Sequence, residues 1–200
     1  MKLSIIIIIT CLLSVACTPT WKYIDDKPKL VKLDRVSFSV PKNWVFFNDH
    51  NNTYAVRDHG KNIKTKVERI LMTKNGFSLD VVDIIKFELN KAFPNINKKA
   101  DETLLISELA ELWIAEQKVA LRIEVIEILK NQPINFEKQQ GFLVHYRYND
   151  AMGKTIENLS YGFVTKEYFY TFTYQAPSLH FFDASLSDFK GLISSISLKS

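Results

Sequence analysis

Beyond residue 17 the chain has no cysteine; both, Cys11 and Cys17, sit at its start. The part that folds therefore carries no disulfide and no thiolate metal site. Glycine and proline are scarce, six of each, which excludes collagen-like and low-complexity tracts. No glycine-rich phosphate loop, no HExxH helix and no GxSxG nucleophile turn can be found. A strong excess of one charge is missing too. The 26 Lys and Arg against 22 Asp and Glu leave a net charge of +4, short of a nucleic-acid footprint but attractive to anionic head groups. What remains is ordinary globular usage, 46% hydrophobic and 24% charged. At 200 residues the chain fits one domain and can bury a core unaided.

The first residues read as an address. Lys2 precedes an apolar stretch from Leu3 to Val15, followed by Ser14-Val15-Ala16-Cys17. At about 1.5 Å per residue the stretch falls short of the roughly 30 Å hydrocarbon core, so it reads as a secretory signal rather than a span. Ser14 to Cys17 resembles the lipobox of bacterial lipoproteins, in which the cysteine after the cut is acylated. Leu13 stands four places before the cysteine, whereas that motif prefers Leu three places before it. Cleavage after Ala16 by the ordinary signal peptidase also fits. Without a lipid, however, the exported chain carries one unpaired thiol in an oxidising compartment, and this favours acylation. Thr18 after the cysteine resembles the outer-membrane sorting signal of Gram-negative lipoproteins. The expected organisation is a signal peptide over 1–16, a lipidated Cys17 and flexible tether over 17–31, and one domain over 32–200.

Within the domain, Arg35 to Val40 alternates in period two and stops at Pro41, as a strand does. Thr53–Val56 and Val67–Met72 are further strand candidates, and Asn75-Gly76 marks a turn. Ser78 reads as the N-cap of a helix with Val82, Ile85, Leu89 and Ala92 on one stripe, ended by Pro94. Residues 107–129 admit one long helix from a Ser107 cap. The β-branched cluster around Ile123 and Ile126 favours a helix to about Lys118 followed by a strand. Three period-two runs from Phe142 to Tyr174 predict an antiparallel meander. Pro177 then opens a helix whose stripe is Leu179, Phe182, Leu186, Phe189, Ile193 and Ile196.

This order implies an α+β fold, an antiparallel β-sheet flanked by α-helices. It also resembles a family. The likeness rests on Phe38 to Trp44 (FSVPKNW), Thr73 to Asp80 (TKNGFSLD), Ser107 to Trp113 (SELAELW), Gly141-Phe142, Tyr168 to Phe182 and Leu192 to Ile196. These pieces resemble the bacterial relatives of the photosystem subunit PsbP, over residues 35 to 198. The resemblance implies an α/β/α sandwich, shared with Mog-type Ran-binding proteins, and no catalytic residue travels with it.

Several residues are candidates for chemistry. His145 and Arg147 share one face of a strand and suit a ligand-binding pair. His50 and His59 flank an Asn/Asp-rich loop, without EF-hand spacing. Arg57, Lys61, Lys64, Lys66 and Arg69 form a basic stretch suited to a membrane or partner surface. The aromatic run Tyr168 to Tyr174 reads as core, because the following helix needs a sheet face to cover. No catalytic set, metal site or cofactor is expected. The functional expectation is a membrane-anchored envelope lipoprotein, on the outer membrane and facing the periplasm, with a non-catalytic binding or accessory domain. Its partners are the lipid bilayer, through Cys17, and an envelope protein; nucleic acid is not expected. The alternative is an envelope hydrolase using His145 or the His50/His59 loop.

Overall fold

The computed structural model describes residues 21–49, 53–58, 61–137 and 139–198, with the backbone alone over 48–49, 53, 55–58 and 61–66. Eight strands form one antiparallel sheet in the order β1-β4-β7-β8-β12-β11-β10-β9. They are β1 (Lys22–Tyr23), β4 (Val45–Asp49), β7 (Glu68–Thr73), β8 (Val81–Glu88), β9 (Glu127–Phe136), β10 (Gln139–Asn149), β11 (Thr155–Val164) and β12 (Tyr168–Pro177). A second sheet joins β2 (Lys29–Leu33), β3 (Val36–Val40) and β13 (Ser197–Leu198), and β5 (Thr53–Asp58) pairs with β6 (Lys61–Lys66) as a hairpin. Among the described residues the two long helices are α1 (Ile106–Ala120) and α2 (Phe181–Ser194). The expected antiparallel sheet flanked by helices is what the chain forms.

The meander is built as its alternation predicts. Leu143↔Tyr161 and Val144↔Ser160 pair across β10 and β11, and Tyr161↔Phe172 across β11 and β12. Even-numbered β12 residues Tyr170, Phe172 and Tyr174 pack beneath α2, while Phe169 points to the α1 side. Period two thus feeds two cores from one strand. Gly141 lets β10 and β11 close up. A Cβ there would sit 2.4 Å from the Gly162 carbonyl oxygen, a contact that no side chain tolerates.

Three expectations fail, each for a physical reason. Residues 81–88 are a strand, not the helix capped by Ser78. β8 lies between β7 and β12 and is buried on both faces, with Val82 and Ile84 in the α2-side core and Ile85 and Phe87 in the α1-side core. With apolar residues on both faces and its two inner charges, Asp83 and Lys86, on opposite faces, the strand shows no period-two alternation and admits a false helical stripe. The helix expected at Pro177 begins at Phe181. Pro177 closes β12, and Leu179 is 87% exposed, so the stripe holds only from Phe182 onward. The flexible tether expected over 17–31 is structured from residue 22. β1 pairs with β4, Ile24 is buried, and β2 begins at Lys29. Ile24 exchanges backbone hydrogen bonds with Asn43 and Trp44, and these satisfy groups that a free tether would leave to water.

Between helix and strand the 107–129 region follows the split reading with shifted edges. α1 runs to Ala120, the strand starts at Glu127, and residues 121–126 form a loop. The α1 cap is not Ser107: the Glu108 carboxylate accepts the backbone N–H of Leu105 at 2.9 Å, one half of a capping box.

The two faces of the large sheet are covered unequally. On one side α2 and the small sheet cover it from β4 to β9, over Phe46, Met72, Ile84, Phe172, Phe163 and Phe136. On the other, α1 packs on β10, β9 and β5. Among the described residues the buried cluster on that side draws strand residues from β8, β12, β11, β10 and β5, and none from β1, β4 or β7.

Candidate functional site

His145 and Arg147 do lie on one face of β10, opposite Val144 and Tyr146, which are buried under α1. The two side chains nevertheless belong to separate pairs. His145 Nε2 is 2.9 Å from Glu157 Oε2, and its ring stacks on Phe182 at 5.3 Å with 5° between planes. The Ser178 hydroxyl donates to the other Glu157 oxygen at 2.7 Å. The carboxylate therefore stands between imidazole and hydroxyl, so His145 has no contact through which to activate Ser178 as a nucleophile. Arg147 forms a bidentate pair with Glu127, 2.7 Å from Nε and 2.9 Å from Nη2, and holds that carboxyl below its usual range. Between His145 and Tyr146 the pairing with β9 skips Leu129, a bulge that lies in β9, while β10 keeps its regular register with β11.

Arg147 borders an open groove of about 1100 Å³. One wall is the loop after α1, with Leu121, Arg122 and Val125. The other is the end of the β10–β11 hairpin, with Tyr148 and Asp150. Val125 is 76% exposed, an apolar side chain presented to solvent at the lip. The Tyr148 phenol, pushed up to about 12 by burial and by the nearby Asp150 charge, is a neutral hydrogen-bond donor there, as an unshifted tyrosine also is at neutral pH.

The loop owes its shape to how α1 ends. The Arg122 N–H donates to Val119 O at 3.2 Å and the Ile123 N–H to Lys118 O at 2.9 Å. This is a Schellman ending, with Ile123 buried behind it. Arg122 occupies its left-handed position at φ 57°, where glycine is usual and another L-residue costs about 1–2 kcal/mol. A charged side chain thus stands at the groove at the expense of backbone strain. The sequence reading missed this groove. Its only signal was the Leu121–Ile126 segment between helix and strand, four apolar residues with Arg122 and Glu124, which reads equally well as either.

The basic stretch divides. Arg57, Lys61, Lys64 and Lys66 belong to the β5–β6 hairpin, where register puts Arg57, Lys64 and Lys66 on one face and Lys61 on the other. Arg69 leaves the set, because its guanidinium makes a bidentate pair with Asp83 at 2.7 Å to each oxygen. His50 and His59 lie outside the described residues. The aromatic run of β12 is core: Phe169, Tyr170, Phe172 and Tyr174 are all buried. Among the described residues no group of three His, Cys, Asp or Glu is placed to hold a metal, and no helix is long and apolar enough to cross a membrane.

Two buried carboxylates complete the polar interior. Asp80, at the start of β8, accepts from Thr73 Oγ1 at 2.6 Å, from the backbone N–H groups of Lys74 and Asn75 at 3.0 Å, from Asn75 Nδ2 at 2.7 Å and from Ser185 Oγ of α2 at 3.0 Å. Burial raises its pKa, but the donors outweigh burial and hold it below the usual carboxylate range. Glu116 of α1 accepts from the Asn95 and Ile96 backbone N–H groups and the Asn95 side chain. There burial wins and the pKa is raised.

The architecture is similar to that of a solved structure, cyanobacterial PsbP (CyanoP) from Synechocystis sp. PCC 6803, at a TM-score of 0.54 and 12% identity, covering 93% of this chain and 96% of that one. LpqN, involved in cell envelope biogenesis of Mycobacterium tuberculosis, aligns at a TM-score of 0.48 and 9% identity over 90% of each chain. No protein-family model and no curated protein matches the sequence. The chain thus has a PsbP-like α+β fold; the likeness is one of fold and does not carry function.

Proposed function

We propose that the protein is an envelope lipoprotein, acylated at Cys17, whose domain is a non-catalytic binding module. The groove between residues 121–125 and the β10–β11 hairpin is its binding surface. The observation that carries the reading is the construction of that groove. An exposed apolar Val125, a strained Arg122 and a neutral phenol at Tyr148 converge on one concavity. Strain kept at a surface residue is a mark of sites under functional demand. Apolar contacts ringed by a few polar donors are what protein and small-ligand surfaces share. The occupant proposed is a segment of another envelope protein. The Arg147–Glu127 pair serves as a strut in the groove's wall rather than as its ligand, and the His145–Glu157 pair lies outside the lining.

Photo-crosslinking in intact cells tests this. A photoreactive residue in place of Val125 is expected to yield a discrete adduct of defined mass. The same residue in place of Leu179, which is 87% exposed elsewhere on the surface, is expected to yield none. Equal labelling at both positions, or none at Val125, removes the groove from consideration.

A further inference from the structure

Four positions separate Cys17 from Trp21, and Trp21 already packs on the folded domain. Its ring lies 4.7 Å from that of Phe47 and 4.9 Å from that of Phe77. We infer that the open face of the sheet at β1, β4 and β7 rests against the head-group layer of the bilayer, with Trp21 as its interfacial anchor. The inference rests on the proposed acylation of Cys17.

Register defines the face. Lys22 pairs with Phe46, which is buried on the α2 side. Trp21 and Tyr23 therefore point to the other side, beside Phe47 and Val45. That side has no helical cover here, since α1 sits over the opposite end of the sheet. Trp21 is left 47% exposed, Tyr23 57% and Phe77 40%. A tryptophan, a tyrosine and phenylalanines gather at this edge of the sheet, with the mutually paired Arg69 and Asp83 farther along the same face; such an edge matches the head-group region, where an apolar ring and a polar tip are both satisfied.

Chain length supplies the occupant. A peptide spans at most about 3.6 Å per residue, so four steps reach roughly 14 Å. The polar layer of one leaflet is itself roughly 5–8 Å deep. With the acyl chains of Cys17 in the hydrocarbon, Trp21 cannot stand more than about one such layer clear of the lipid. A tether lasting to residue 31 would have placed no such limit; the pairing of β1 with β4 imposes it.

The molecule carries its own probe. Of the three tryptophans, Trp44 and Trp113 are 1% exposed and Trp21 alone is open. The full mature chain, extracted with its lipid, is reconstituted into phosphatidylethanolamine and phosphatidylglycerol vesicles whose acyl chains are brominated just below the head groups. Trp21 emission is the difference between the parent and a Trp21→Phe variant. Roughly half or more of that emission is expected to be lost to bromine, as befits a ring at the interface, with little loss in the variant. If the chain floats with the vesicles but Trp21 is quenched by aqueous iodide and not by bromine, the face points to water; the seating is then wrong and the anchor stands. If the chain does not float with the vesicles, the anchor fails, and the seating with it.

Discussion

The centre of the large sheet and its β1 end are made from the same residue types and end in opposite environments. Phe169 of β12 is fully buried, its ring 5.1 Å from Phe93, 5.9 Å from Trp113, 6.1 Å from Phe87 and 6.4 Å from Phe142. Trp21 and Phe77 touch each other at the other end and remain half open. What separates them is cover. The centre lies between α1 and α2, whereas the end has α2 and the small sheet on one side only. Strand aromatics therefore reveal a surface that must be satisfied, and the surrounding elements decide whether core or an outside partner satisfies it.

The sharpest way to break this contrast is to truncate one ring in each region. Phe169→Ala is expected to lose about 3–5 kcal/mol of stability, as full removal of a buried aromatic does. Phe77→Ala is expected to lose less than about 1 kcal/mol, as at an exposed site. Urea denaturation of both variants checks the pair; equal losses would mean that the open end is as much core as the centre.

Next in size is the polar strut in the turn that carries Phe77. Asp80 ties the turn before β8 to Ser185 of α2, and Asp80→Ala leaves its buried donors without an acceptor. A loss of about 1–3 kcal/mol is expected by the same denaturation. Because the folded pKa of Asp80 is depressed, its stabilisation is complete above the unfolded value of about 3.9. It is lost as pH falls through the lower folded value.

Glu116 carries the opposite sign. Its folded pKa is raised, so the folded state holds the proton more tightly than the unfolded chain does. Its contribution declines as pH rises from about 4.3, the unfolded value, to the raised one, and is flat above. Stability measured over a pH series is expected to lose that decline in Glu116→Gln and the acid-side loss in Asp80→Asn. Identical pH profiles in the two variants would contradict the assignment.

The smallest effect separates groove from fold. Arg122→Gly relieves the left-handed backbone and is expected to stabilise the domain by about 1 kcal/mol, read by thermal or urea melting. It is also expected to weaken crosslinking from Val125. A stabilised variant with unchanged crosslinking would mean that the strain serves no partner.

The meander was legible because each of its strands alternates cleanly: Phe142 to Tyr148 repeats in period two, and so does Tyr168 to Tyr174. β8 was not, because Val81 to Phe87 carries apolar residues on both faces and its charges, Asp83 and Lys86, fall one on each, so no alternation shows. The β1 pairing was also illegible. Lys22, Asp25, Lys27 and Pro28 give the segment a linker's composition, although backbone pairing with β4, the burial of Ile24 and the ring of Trp21 bind it to the sheet. Of the candidate site, Arg147 was legible as a strand residue. The groove beside it arises from a helix ending at Arg122, a position that composition does not mark for a left-handed turn.

Both the seating of the open end and the role of the groove presuppose that the chain is held to lipid through Cys17. The intact mass of the protein extracted from membranes tests that most directly. The account predicts a chain beginning at Cys17 and heavier than its residues by the mass of acyl chains and their glycerol. A chain beginning elsewhere, or a Cys17 with a free thiol in the soluble fraction, would contradict it.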